Sequence, residues 1–340
     1  MNTKILVTGG LGFIGSHTVV ALQEKGYDVV IIDNLSNSDI SVLEGITKIT
    51  GVRPEFEAID LRDKTKVIDF FNRHSDIKGI IHFAASKAVG ESVQKPLLYY
   101  ENNLNTLIYL LQQMQDKKIR NFIFSSSCTV YGEPDSLPIT EAAPIKPALS
   151  PYGNTKQIGE EIIRDTAKAY PDFKSIALRY FNPIGAHPTA HIGELPLGVP
   201  QNLIPFVTQT AAGIRQELSV FGDDYPTPDG TAIRDYIHVV DLAESHVVAL
   251  ERLLNNRQKA NFEVFNIGTG RGSSVMEIIK SFEKVNNIKL NYKIVGRREG
   301  DVTAVWADTS LAEKELGWKA RLSMEDALRD AWHWQQKISK

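Results

Sequence analysis

Tyr152 and Lys156 stand four residues apart, about twenty-five residues after three consecutive serines, Ser125, Ser126 and Ser127. The residue types and their spacing suggest proton chemistry. In the run Ser150-Pro151-Tyr152-Gly153-Asn154-Thr155-Lys156 a helix can begin at or just after Pro151. Positions i and i+4 then share one face, and the ammonium lies beside the phenol. A free phenol has a pKa near 10, so it is a poor base at neutral pH. A fixed cation beside it lowers that value and makes a usable proton acceptor. An isolated Tyr-x-x-x-Lys is more often an idle pair on a helix surface. The chemical reading therefore needs a group that accepts a hydride.

The N-terminal region supplies a place for one. Gly9-Gly10-Leu11-Gly12-Phe13-Ile14-Gly15 follows the apolar run Ile5 to Thr8 and opens into a helical pattern. Gly9, Gly12 and Gly15 permit a tight turn, bring backbone N–H groups close to a pyrophosphate and let the helix pack on the strand. The next apolar run, Val29-Val30-Ile31-Ile32, ends in Asp33, eighteen residues past Gly15. A carboxylate there accepts hydrogen bonds from an adenosine ribose and repels a 2′-phosphate. The chain has no arginine before Arg53. The cofactor expected is therefore NAD and not NADP. Asp60 has two readings that the sequence leaves open: it holds the adenine amine, or it caps the helix beginning near Thr65.

Elements that would position these groups are legible in the first half. Strands are predicted at Ile5 to Thr8, Val29 to Asp33, Phe56 to Ile59, Gly79 to Ala84, Phe122 to Phe124 and Ser175 to Arg179. Helices are predicted at Phe13 to Lys25, Thr65 to Arg73, Leu97 to Met114 and Tyr152 to Ala169. Continuous Ile/Val/Leu strands alternating with helices indicate a doubly wound, parallel α/β sheet covered on both faces. Ligands of such a sheet bind beyond the carboxyl ends of its strands. Ser125 to Ser127, Asp60-Leu61 and Phe83-Ala84-Ala85 all fall there. After Phe181 the texture changes, and residues 182–234 are rich in Pro, Gly and Asn. Two lobes around a cleft are expected, 1–181 for the dinucleotide and 182–340 for the substrate, with later segments crossing back to the first lobe.

Composition narrows the partners. The chain has 340 residues, 42% apolar and 23% charged, and a net charge of −3. No overall field attracts a nucleic acid, so an anionic ligand must be met by local arginines or lysines. A single cysteine, Cys128, excludes an internal disulfide and a cysteine metal site. No membrane-span-length apolar stretch is present, and a cytoplasmic location is expected. His187 and His191 flank a proline without a Cys/His/Asp cluster, so no metal is expected.

Together, Ser127, Tyr152 and Lys156 form a Ser–Tyr–Lys set similar to that of short-chain dehydrogenases/reductases. The size and the G-x-x-G-x-x-G turn resemble the extended branch, which works mainly on nucleotide sugars. Ser127-Cys128-Thr129-Val130-Tyr131-Gly132 lacks the carboxylates that dehydratases and decarboxylases of this branch carry there. Longer runs resemble the UDP-glucose 4-epimerase family: Ile80 to Val93, Arg179 to Pro188, Gly222 to Thr227, Arg234 to Val239 and Arg297 to Asp301.

That resemblance implies a Rossmann-like fold with a smaller C-terminal α/β lobe, a homodimer, and interconversion of UDP-glucose and UDP-galactose. Tyr152 would take the proton of the sugar 4-hydroxyl while NAD takes hydride from carbon 4, Lys156 would favour the phenolate, and Ser127 would hold the reacting oxygen. Beside the glycine turn, it places Phe13, Ile14, Asp33, Asn34, Leu35, Ser36, Asn37, Ser38, Asp60, Leu61, Phe83, Ala84, Ala85, Ser86, Lys87, Asn102, Ser125 and Phe181 against NAD. It places Asn182, Asn202, Leu203, Ser219, Val220, Phe221, Arg234, Arg298, Glu299, Gly300, Asp301 and Val305 against the UDP-sugar. Arg234 and Arg298 suit a diphosphate because guanidinium forks bind phosphate in pairs of hydrogen bonds; Arg297 reads as a surface ion pair. Val305 stands where several family members carry tyrosine, and the smaller side chain would admit UDP-GlcNAc and UDP-GalNAc. Alternatives are a net NAD-dependent sugar-nucleotide dehydrogenase or reductase, and an NAD-sensing protein without chemistry, which typically loses the Tyr/Lys pair.

Overall fold

In the computed structural model, residues 3–298 and 301–340 are described. The chain divides into two units. One comprises Met1–Gly132, Pro144–Tyr180 and Ala243–Phe265; the other comprises Glu133–Ala143, Phe181–Leu242 and Asn266–Lys340.

The first unit is built on β1 (Lys4–Thr8), β2 (Asp28–Asp33), β3 (Glu55–Ala58), β4 (Ile77–His82), β5 (Asn121–Ser127), β6 (Lys174–Tyr180) and β7 (Phe262–Ile267). Their order in the sheet is β7-β6-β5-β4-β1-β2-β3. Every pair from β3 to β6 is parallel. The winding direction reverses between β1 and β4, and their carboxyl ends flank the crevice where such sheets take ligands. The helices are α1 (Phe13–Glu24), α2 (Val42–Thr50), α3 (Lys64–Arg73), α4 (Val89–Gln94), α5 (Pro96–Lys117), α6 (Pro151–Ala169) and α7 (Val239–Leu254).

Apolar burial explains why both sheet faces are covered. Leu6, Val30, Ile32, Ile80 and Phe122 pack with Phe70 and Phe71 of α3, Leu107, Leu110 and Met114 of α5, and Ile163 of α6. The alternate positions Ile5, Val7, Ile31, Ile81, Ile123 and Ile176 are also fully buried. Side chains alternate between faces along a strand, so neither face is left to water. Helix α6 lies unusually close to β5: a Cβ on its Gly159 would fall 2.8 Å from the Phe124 ring. That approach sets the level at which Tyr152 and Lys156 stand above the strand end.

The second unit has its own core of Val207, Leu218, Val220, Ile278, Ile279, Phe282, Ala327 and Leu328. Its short strands pair as Asn182–Ile184 with Tyr236–His238, Leu218–Phe221 with Tyr292–Val295, and Ile233–Arg234 between Ser273–Ser274 and Ala304–Val305. Capping boxes start the helices Val275–Asn286 and Met324–Ile338, with Ser274 and Ser323 as caps. Buried Asp235 accepts from the Thr269 N–H and hydroxyl and from the N–H groups of Gly270 and Ala307.

The single boundary expected at 181 is interrupted in two places. Residues 133–143 join the second unit because Ile139 hydrogen-bonds through its backbone to Trp306 and Asp308, while Glu141 accepts from the Asn266 N–H. Residues 243–265 join the first because Val247, Leu250 and Leu253 of α7 are buried and Leu250 lies over Gly79 of β4. The seventh strand, β7, was not anticipated. β5 also runs farther than expected: Ser125 to Ser127 form its last three residues and do not make a turn after it.

Candidate active site

At the end of β5 the three serines have three different partners. The Ser125 hydroxyl shares a short hydrogen bond with Tyr180. Ser126 Oγ donates to Glu160 Oε1 at 2.6 Å. Ser127 Oγ accepts from the Thr129 N–H at 3.2 Å, and its hydroxyl favours the ionised form of the Tyr152 phenol. Opposite them, α6 starts as its sequence requires. Ser150 caps it by accepting from the Gly153 N–H at 3.1 Å, and Pro151 occupies the first helical position. Tyr152 is thereby presented in the first turn and Lys156 one turn later.

Lys156 is 5% exposed. Its Nζ donates to the Ser125 carbonyl at 2.6 Å and lies 4.9 Å from the Phe124 ring centre and 5.8 Å from that of Tyr152. Burial pulls the lysine down to about 8, while the negative charge of Glu160 works the other way. The expected depression of the phenol is not found. Tyr152 is half-buried, and desolvation pushes its phenol up to about 12. The Ser127 hydroxyl opposes the rise. In this state desolvation outweighs the ammonium, whose hydrogen bond goes to a backbone carbonyl and not to the phenol.

The predicted dinucleotide residues gather at the carboxyl ends of β1, β2 and β4. Gly9, at φ 68°, brings the turn so near β4 that a Cβ would fall 2.8 Å from the Ala84 nitrogen. A Cβ on Gly15 would fall 2.2 Å from the Gly9 carbonyl oxygen. α1 begins at Phe13 with Gly12 as its cap and no side-chain hydrogen bond there, so its first N–H groups are available to an anion. Asp33 accepts from the Leu11 N–H at 3.1 Å, the Leu35 N–H at 2.9 Å and the Ser38 hydroxyl at 2.8 Å. A carboxylate has about four acceptor positions, which leaves room for a ribose hydroxyl. The glycine cradle, the uncapped helix start and Asp33 together fit a dinucleotide.

Asp60 does not cap the following helix; Asp63 does, accepting from the Lys66 N–H at 3.1 Å. Asp60 instead accepts from the Arg62 guanidinium at 2.7 Å and from Asn34 at 3.3 Å, and the Arg62 hydrogen bond holds it down to about 2. Leu61 is buried. The segment after β4 is fastened to α5. Asn102 Nδ2 donates to the Ser86 hydroxyl at 2.9 Å, and Asn103 holds both the N–H and the carbonyl of Ser86 at 2.8 and 3.0 Å. Phe83 packs on His246, with ring centres 4.7 Å apart.

Sequence reasoning missed Asn103, Tyr180, Glu160 and Arg179, together with the buried Thr8–His82 hydrogen bond of 2.7 Å. The signals available were an asparagine doublet on an otherwise apolar helix and a glutamate four residues after Lys156.

Phe181, predicted against NAD, belongs to the second unit, as do the residues predicted against the UDP-sugar other than Ser127 and Tyr152. Arg298 donates to Asp301 at 2.8 and 3.1 Å, and Arg234 reaches the same carboxylate at 3.4 Å. Two guanidinium groups therefore gather on one acidic residue. Val305 is buried and lies in register with Arg234 on adjacent strands. Phe221 is exposed, with the Arg298 guanidinium 5.8 Å from its ring centre, whereas Val220 points into the core and can offer only its backbone. Ser219 stands between them on the same strand. Asn202 donates to Glu194 at 2.6 Å and precedes the helix that begins at Leu203 without a side-chain capping bond to it. Arg297 forms the expected surface ion pair, with Asp224 at 2.7 Å. Glu299 and Gly300 lie outside the described residues. Among the described residues no His/Cys/Asp/Glu cluster could hold a metal, and His187 and His191 bond to Thr189 and Lys337.

A family profile described as GDP-mannose 4,6 dehydratase matches residues 6–331. A Haemophilus influenzae protein named UDP-glucose 4-epimerase is 50% identical over 336 residues, 99% of this chain and 98% of its own length. A solved UDP-glucose 4-epimerase of Stenotrophomonas maltophila, with bound NAD and formylated UDP-arabinopyranose, superposes with a TM-score of 0.95 at 48% identity and 99% coverage of both chains. The corresponding enzyme of Bifidobacterium longum, in complex with NAD+ and UDP, gives a TM-score of 0.95 at 47% identity and 99% coverage of both chains.

The buried lysine has a consequence for stability. Its value lies below the 10.5 of an exposed lysine, so the native state binds fewer protons than the unfolded chain between about pH 8 and 10.5. Stability gains from this group as pH rises through that window, and the raised Tyr152 opposes it only above pH 10. Lys156→Met is expected to stabilise the protein at pH 7 by up to about 3 kcal/mol and to flatten the profile from pH 8 to 10. Urea unfolding at several pH values checks this. Equal stability of parent and variant at pH 7 would contradict the buried charge.

Proposed function

The chain belongs to the UDP-glucose 4-epimerase family of extended short-chain dehydrogenases/reductases, and on that premise we propose that Tyr152, Lys156 and Ser127 carry its reaction. The protein is an isomerase that interconverts UDP-glucose and UDP-galactose with NAD, by reversible oxidation at sugar carbon 4 through a 4-keto intermediate. The observation that supports the residue assignment is the arrangement at the end of β5: Lys156 is buried one helical turn after Tyr152, with its Nζ fixed on the Ser125 carbonyl at 2.6 Å and 5.8 Å from the Tyr152 ring centre.

Each residue has a distinct task. Ser127 presents its hydroxyl beside the phenol and can hydrogen-bond the sugar 4-oxygen. Tyr152 takes the 4-hydroxyl proton and later returns one to the 4-oxygen. Lys156, fixed by the Ser125 carbonyl, supplies a positive charge that favours the phenolate. A bound nicotinamide dinucleotide supplies a hydride acceptor and donor for carbon 4, and its oxidised ring is positively charged. Gly9, Gly12, Gly15 and the α1 start would hold the pyrophosphate, and Asp33 the adenosine ribose. Arg234 and Arg298 would bind the substrate diphosphate, exchanging part of their hold on Asp301 for phosphate oxygens. Elimination of water, suggested by the description of the family profile, is unsupported: Ser127-Cys128-Thr129 offers neither an acid nor a base beyond the triad.

The proposal extends to N-acetylated substrates because Val305, buried next to Arg234, is smaller than tyrosine. A homodimer is proposed as well: Leu97 of α5 is exposed, and Leu104 and Ile108 on the same face are only half-buried. Sedimentation at a single monomer mass would refute the dimer.

Purified protein given each of the four UDP-sugars without added cofactor should convert UDP-glucose and UDP-galactose into one another with no lasting NADH absorbance. Stoichiometric NADH accumulation would favour the dehydrogenase reading. Turnover of UDP-GlcNAc is expected, and its absence would end the Val305 proposal. Tyr152→Phe should lower kcat at least about 100-fold while dinucleotide and UDP-sugar binding persist. A variant that kept most of its rate would remove Tyr152 from its role.

A further inference from the structure

Next to Lys156 lies a buried ionic cluster that the reaction does not use directly. Glu160 follows Lys156 by four residues on the same face of α6. It is 3% exposed, and Arg179, on β6, is likewise 3% exposed. The Arg179 guanidinium donates to the Glu160 carboxylate, through Nε at 2.8 Å, and stacks 4.8 Å from the centre of the Tyr131 ring. Ser126 of β5 donates to the same carboxylate at 2.6 Å. One side chain thus joins α6, β5 and β6 to the turn Cys128–Tyr131 that follows Ser127.

A buried ion pair is an expensive way to hold three elements together. Apolar residues of similar volume often stabilise as well or better, so stability alone does not account for this cluster. Its placement does. Ser126 lies between Ser125, whose carbonyl accepts from the Lys156 ammonium, and Ser127, whose hydroxyl acts on the Tyr152 phenol. We propose that Glu160 is a positioning residue for the Tyr152/Lys156 reaction: through Ser126 and Arg179 it locks the end of β5 to the Lys156 face of α6, and its carboxylate supplies negative charge on that face.

Around Lys156 stand Tyr152 and Glu160 on its own helix, His82 on β4, the Ser125 carbonyl and Phe124 on β5, and Arg179 and Tyr180 on β6. Burial keeps His82 neutral, holding it down to about 3, and raises both tyrosines, so they too are neutral near pH 7. Glu160 is the carboxylate acting on the lysine among the described residues, and it offsets part of the burial cost of the ammonium.

This inference rests on Tyr152 and Lys156 being the proton-handling pair, so it is tested in a parent enzyme already shown to epimerise UDP-glucose. Glu160→Gln keeps the shape and removes the charge. Its kcat is expected to fall about 10- to 100-fold with little change in KM, because geometry at the reacting atoms is disturbed and substrate binding is not. The alkaline limb of its kcat profile should move about one pH unit toward acid, since the ammonium loses its compensating charge. Glu160→Gln leaves Arg179 buried and unpaired; where it does not fold, the Glu160→Gln/Arg179→Met pair replaces it and should show a smaller shift in the same direction, because a nearby positive charge is removed as well. Glu160→Asp, which keeps the charge, should retain the parent alkaline limb. A folded, charge-free variant with the parent kcat and pH profile, or one whose defect lies in KM alone, overturns the assignment. A parent that does not epimerise would instead overturn the proposed function.

Discussion

An ammonium group held inside the protein is the constraint on which the site depends. Lys156 must lie under the end of β5 to reach the Ser125 carbonyl, and it can do so only if α6 packs almost directly on that strand. Gly159 makes the approach possible, since any side chain there would meet Phe124. Ser150 and Pro151 fix where the helix starts and hence which of its turns faces the strand end. Burying the lysine is costly, and the cost is shared among a carbonyl acceptor, the Phe124 ring and the Glu160 carboxylate. Tyr152, one turn earlier, takes its position from the same geometry. Burial raises its phenol, and the ammonium beside it donates to the Ser125 carbonyl and not to the phenol.

The dinucleotide half follows a different logic, one of backbone groups. Gly9 and Gly15 allow the turn after β1 to close against β4 and α1, and the start of α1 exposes N–H groups instead of a capping side chain. Asp33 then ties the turn after β1 to the loop after β2, which preorganises both for a ligand. Asn102 and Asn103 do the same for the segment after β4, drawing it onto α5 through Ser86. These contacts settle the loops before a ligand arrives, and preorganisation of this kind reduces the entropy lost on binding.

Much of this was legible in the sequence because its signals are local. The strands β1 to β6 read as apolar runs, and the starts of α1 and α6 were marked by Gly12 and by Ser150-Pro151. Asp33 and the Tyr152/Lys156 spacing needed no tertiary knowledge. Long-range placement was less legible. Nothing in Phe262-Glu-Val-Phe-Asn-Ile267 says that it pairs beside β6, which ends some eighty residues earlier, or that Ile139 bonds to the backbone at Trp306 and Asp308. The electrostatic balance at Tyr152 was misjudged because spacing shows a neighbouring charge but not the burial that competes with it. Asp60 was misread as a possible cap for a similar reason, the better-placed Asp63 standing three residues later.

In the proposed mechanism hydride leaves and returns to the same carbon while only the proton passes through Tyr152. UDP-glucose carrying deuterium at carbon 4, turned over in ordinary water, tests it most directly. Mass and NMR analysis of the UDP-galactose formed should find the deuterium retained at carbon 4. Loss of that deuterium to solvent, or its appearance at another carbon, would contradict the mechanism.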